Sequence, residues 1–151
     1  MSFVAWHNAT RTMEPTIRHI RYEDFYSLSS EGFGNLESFC RAVDSLVRQM
    51  GSVSAHHIVL DVRHATIPPI PESLLTPALD ELWRRGIGVV NKVAIVYDPA
   101  DDIRATRFVR GEEIAEQMGL RLRSFDDTAD ALEWLNYSAD QRQFGFPPSK
   151  N

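Results

Sequence analysis

A chain of 151 residues, 43% hydrophobic and 25% charged, has the size and composition of one globular domain with a full core. Its net charge of −5 works against a nucleic-acid partner, whose phosphates call for a basic face. The single cysteine, Cys40, rules out a disulfide within the chain, and its place among apolar helix positions reads as a core thiol.

The opening residues Met-Ser-Phe-Val-Ala-Trp-His-Asn lack the basic start and long apolar run of a signal peptide. No window approaches the roughly 18 consecutive apolar residues of a membrane span. A cytoplasmic protein is therefore expected. Residues 1–15 read as an arm or edge strand, with Phe3 to Trp6 the strand candidate. Residues 16–136 read as a single domain and 137–151 as a tail.

Within the domain, Thr16 to Tyr22 and Phe25 to Ser30 read as two strands around a Glu23-Asp24 turn. Asn35 then caps a helix whose apolar residues Leu36, Phe39, Cys40, Val43, Leu46, Val47 and Met50 recur at 3.6-residue spacing, with Gly51 as its stop. Ile58 to Val62 is β-branched and bounded by turn residues, as a central strand should be. Pro68, Pro69 and Pro71 keep the next stretch irregular. A helix follows with Leu74, Leu75, Ala78, Leu79, Leu82 and Trp83 as its buried stripe. Pro77 demands either that this helix start near Thr76 or that it kink.

Val93 to Tyr97 is a second central strand, Ile103 to Met118 a helix ended by Gly119, and Leu120 to Phe125 another strand. Asp126 or Asp127 caps a last helix carrying Ala131, Leu132, Trp134 and Leu135. The order β-β-α-β-α-β-α-β-α predicts an α/β domain. Its sheet should be mixed and mostly parallel, with helices over both faces.

Three stretches narrow the fold: His57-Ile-Val-Leu-Asp61, Lys92-Val-Ala-Ile-Val96, and Leu122-Arg-Ser-Phe125-Asp-Asp127 followed by Ala131-Leu-Glu-Trp-Leu135. With the element order, they resemble the SpoIIAA-like fold group, which includes the STAS (sulfate transporter and anti-sigma factor antagonist) domains. The likeness spans roughly residues 16–136. In the anti-sigma factor antagonists a phosphorylatable serine follows an aspartate at the start of the helix after the central strand. Here that place holds Pro71-Glu72-Ser73, with no Asp-Ser pair. The resemblance is thus to a stand-alone SpoIIAA-like branch. It implies a non-catalytic regulatory or protein-interaction module and supplies no reaction.

In an open parallel sheet, ligands gather beyond the carboxyl ends of the strands. Arg63, His64 and Asp98 fall there. At about 100° per residue, Arg104 lies some 20° from the direction set by Gly111, Ala115 and Met118, and Arg107 about 40° off on the other side. Both point inward while Arg110 points to solvent. Arg63, His64, Asp98, Arg104 and Arg107 therefore form a candidate site for an anionic or amphipathic small molecule. The alternative is that Arg104 and Arg107 pair with Asp61, Asp98, Asp101 or Asp102 and only lock the turn.

His64 near Asp61 or Asp98 has the elements of a general base, but a solvated loop histidine is the favoured reading. His56 and His57 are adjacent, so a strand turns them to opposite faces. No metal-ligand spacing, dinucleotide fingerprint or nucleophile elbow occurs, so neither metal nor cofactor is expected. Trp6, Trp83, Trp134, Phe144 and Phe146 either cover core edges or build a self-association surface, for which a symmetric homodimer is the expected form.

Overall fold

The computed structural model describes residues 17–21, 25–52 and 56–135. Five strands pair in chain order: β1 (Ile17–Arg21), β2 (Phe25–Ser30), β3 (His57–Asp61), β4 (Val93–Val96) and β5 (Leu122–Phe125). β1 runs antiparallel to β2, and every later pairing is parallel. Parallel neighbours require crossovers, supplied by α1 (Leu36–Met50), α2 (Leu75–Arg84) and α3 (Asp102–Met118), while α4 (Thr128–Trp134) follows β5. This is the β-β-α-β-α-β-α-β-α order predicted above, with a mixed, mostly parallel sheet. The Glu23-Asp24 turn, the 1–15 arm and the 137–151 tail lie outside the described residues.

Strand parity sorts the core into two layers. Tyr26, Leu28, Ile58, Val62, Val93, Ile95 and Leu122 face one side, where α1, α2 and α3 pack. Phe25, Val59, Ala94 and Val96 face the other, where, among the described residues, α4 contributes Ala131 and Leu132.

The helix ends follow their capping residues. The Asn35 side chain accepts from the Ser38 amide at 2.8 Å to open α1, and Gly51 closes it at φ 72°. Asp127, not Asp126, caps α4, accepting from the Ala129 amide at 2.7 Å. A 3-10 turn over Glu72–Leu74 precedes α2, which makes Pro77 the third residue of the helix. The missing amide falls in the first turn, where no intrahelical acceptor exists, so no kink results.

Two expectations are corrected. β5 begins at Leu122 because the Leu120 and Arg121 amides are drawn to Ala115 O (2.8 Å) and Gly88 O (2.7 Å). Trp83 is 50% exposed rather than part of the buried stripe, since it lies about a quarter turn from the mean direction of Ala78, Leu79 and Leu82. Among the described residues, no helix is long and apolar enough to cross a membrane.

Candidate functional site

Between the sheet and α1, α2 and α3 lies a cavity of about 170 Å³. Its walls include Leu28, Ile58, Leu60 and Val62 of the sheet and Val43 and Leu79 of the helices. Its lining is almost entirely apolar, so water finds few of the two or more polar partners it needs there.

Two glycines shape the space. Gly111 lies inside α3 and lines the cavity, and a Cβ built on it meets nothing within 4 Å. Gly32, at φ +113°, sits so close beneath the loop after β3 that an added Cβ would be 2.9 Å from Ile67 O. That loop is fastened by the Thr66 and Ile67 amides, both donating to Glu31 O at 2.9 Å. Pro69 and Ile70 line the cavity, so the proline-rich stretch forms part of its wall at the carboxyl ends of the strands.

Arg104 and Arg107, in the first two turns of α3, both line the cavity at this end. Arg104 is 5% exposed and engaged at both terminal nitrogens. Its Nη1 donates to Asp101 Oδ2 at 2.7 Å and its Nη2 to Ile67 O. The Asp101 Oδ1 meanwhile accepts from the Arg104 amide at 3.0 Å, capping the helix. Arg107 differs. Its Nε is buried with no hydrogen-bond partner, and among the described residues no carboxylate pairs with it. A buried donor left without an acceptor costs about 1–3 kcal/mol, and more when charged.

Arg63 does not join them. Its Nε and Nη2 donate to Asp61 Oδ1 and Oδ2 at 2.9 and 2.7 Å, and those hydrogen bonds hold its guanidinium above the usual arginine range. Parity explains this: Ile58, Leu60 and Val62 face the cavity, so Asp61 turns to the α4 side, and Arg63 folds back onto it. With both Asp61 oxygens occupied, His64 has no carboxylate to orient it. It is exposed and, among the described residues, without a hydrogen-bond partner. Asp98 accepts from the Ala100 amide at 3.0 Å and serves the turn into α3.

Cys40 is half-buried rather than a core thiol. Burial and the nearby Glu81 raise its pKa, which disfavours the nucleophilic thiolate. His57 Nδ1 accepts from the Lys92 amide at 2.9 Å. His56 is buried with its ring edge-on to Tyr26, 5.0 Å between centroids, and its Nδ1 has no partner. Among the described residues, no group of three or more His, Cys, Asp or Glu could hold a metal ion. Nothing local in the sequence marks Gly32 or Ile67 as parts of the site. Gly111 carried one signal, an isolated glycine within a helical pattern.

No protein-family model matches the chain, and no curated protein does. Among solved structures, it is similar to the crystal structure of an uncharacterized DUF3478-family protein from Shewanella loihica PV-4. That protein has a SpoIIAA-like fold, the group that the three sequence stretches resemble. The identity is 19% over 81% of this chain and 94% of that one, with a TM-score of 0.49.

Proposed function

We propose that this domain is a small-molecule binding module that holds an amphipathic anion in the cavity between the sheet and α1–α3. One observation carries the reading: apart from Arg104, which is paired with Asp101, the charged group lining this largely apolar space is Arg107, and among the described residues no carboxylate pairs with it. An apolar body would be covered by the apolar walls, and an anionic head would pair with the Arg107 guanidinium, which has no carboxylate partner among the described residues. Arg104 acts beside it as a fixed part of the wall. Arg63, His64 and Asp98 have no part in this reading, because their geometry engages them elsewhere or leaves them in solvent.

Thermal unfolding of the full chain with and without octanoate tests the reading. A ligand at one hundred times its Kd adds about 2.7 kcal/mol to folding stability, enough to move Tm by several degrees. Gly111→Leu fills the cavity from α3 while improving helix propensity, so the variant is expected to fold and to lose the shift. No shift in the wild-type chain, or the same shift in Gly111→Leu, would sink the proposal.

A second reading, a regulatory or protein-interaction module of the STAS-like kind, has its own support. Trp83 is 50% exposed, Val89 39% and Val90 49%, and all three belong to the end of α2 and the turn after it. Trp83→Ser would weaken a partner contact there and leave octanoate binding untouched.

A further inference from the structure

We infer that Gly111 determines how large an apolar body the cavity admits; this rests on the reading of the cavity as a binding site. Glycine inside a helix is unfavourable, and among the common residues proline alone is worse there. It suits positions where the backbone takes a positive φ, or where another group comes too close to leave room for a Cβ. Gly111 meets neither condition. It lies in the interior of α3 without a positive φ, and a Cβ built on it meets nothing within 4 Å. Among the described glycines this holds for Gly111 alone. Gly32, Gly51, Gly86, Gly88 and Gly119 have positive φ, and a Cβ on Gly34 would stand 3.3 Å from Ile67 Cγ2. What the missing side chain leaves is room.

That room is inside the protein. Gly111 is buried and lines the cavity, so a side chain at this position would enter the cavity and not the solvent. Arg104, Arg107, Phe108 and Gly111 recur at spacings of three and four residues, which puts them on one stripe of the helix, and all four line the cavity. Gly111 stands one turn beyond Arg107, about 6 Å along the axis at roughly 1.5 Å per residue. Side chains of increasing size at Gly111 therefore take space from an occupant's apolar body and leave the charged group that would meet its head chemically unaltered.

Calorimetric titration of the full chain and of its Gly111→Ala and Gly111→Val variants with hexanoate and octanoate provides the test. The affinity for octanoate is expected to fall at least threefold in Gly111→Ala and at least tenfold in Gly111→Val. The affinity for hexanoate should fall less in each, because the shorter ligand leaves room for the added carbons. A general disturbance of α3 would weaken both ligands alike. Equal losses for the two ligands would overturn the size role of Gly111 while the cavity reading survived, since binding would still depend on this wall. Octanoate affinities unchanged in both variants would also overturn the size role. Absence of octanoate binding by the wild-type chain would overturn both readings. Urea unfolding without ligand adds an independent check. Gly111→Ala should show a higher midpoint than the wild type, because it gains helix propensity and its methyl group meets open space. A lower midpoint would mean that the room is not there, and would overturn the size role whatever the titrations gave.

Discussion

Arg104 donates from Nη2 to the carbonyl oxygen of Ile67, fastening the first turn of α3 to the loop that walls the cavity at the carboxyl ends of the strands. The same guanidinium pairs with Asp101, so one buried side chain joins helix cap, helix and loop. This is why the proline-rich stretch is held in place although it has no regular structure of its own.

Arg104→Ala is expected to destabilise the chain by about 2–3 kcal/mol, the range for losing charge-assisted hydrogen bonds at a buried site. The figure sits below that for breaking a fully buried ion pair, because Asp101 is partly exposed. Urea unfolding at neutral pH should show a lower midpoint with an unchanged slope. A loss under about 0.5 kcal/mol would mean that the Glu31 hydrogen bonds hold the loop alone.

Acid sensitivity should centre on Arg85. It bridges Asp44 of α1 and Glu81 of α2, and its hydrogen bonds hold both carboxyls below their ordinary values of 3.8 and 4.5. A carboxyl whose folded pKa is depressed contributes stability above its unfolded pKa and loses it as pH falls through the folded one. The urea midpoint of the wild type should therefore decline as pH drops below about 4.5, and Arg85→Met should flatten that decline. The difference should shrink in high salt, because the partners reach solvent. Identical pH profiles for the two chains would count against the bridge.

At the opposite end of the sheet, Asn91 is 1% exposed and bonds in two directions. Its Nδ2 donates to His56 O at 2.9 Å, and its Oδ1 accepts from the Gly88 amide at 2.7 Å. Asn91→Leu matches its burial and strands both backbone groups, at a cost of about 1–3 kcal/mol each. Denaturant unfolding should show a loss of roughly 2–4 kcal/mol, with faster hydrogen exchange at the Gly88 amide. Exchange no faster than wild type would mean that Gly88 has found another acceptor.

Much of the fold was legible in the chain because it rests on local rules. The stripe of α1, its Asn35 cap and its Gly51 stop each depend on a few neighbouring residues. Two β-branched runs separated by a helix-length crossover admit little but parallel pairing. Pro77 was harder to place, because sequence alone left both a late helix start and a kink open. The 3-10 turn over Glu72–Leu74 decided between them.

The candidate site divides in the same way. Helical phase is set by chain geometry, so the inward turn of Arg104 and Arg107 could be read from spacing. Partner choice could not. Sequence proximity offered Arg104 and Arg107 the same aspartates, yet Asp101 pairs with Arg104 and none pairs with Arg107 among the described residues. Arg63 stood beside the other two along the strand ends, and only parity in the folded sheet sent it to Asp61 on the far face.

By itself the sequence determined the elements, their order and the helix face that carries the arginines, because these follow from hydrogen-bonding periods along a chain. Tertiary structure alone decided that Ile67 closes on Arg104, that Arg107 Nε finds no acceptor among the described residues, and that a cavity of about 170 Å³ lies between the sheet and the helices. Those outcomes depend on how residues distant in sequence pack against one another, and no local rule records the space they leave.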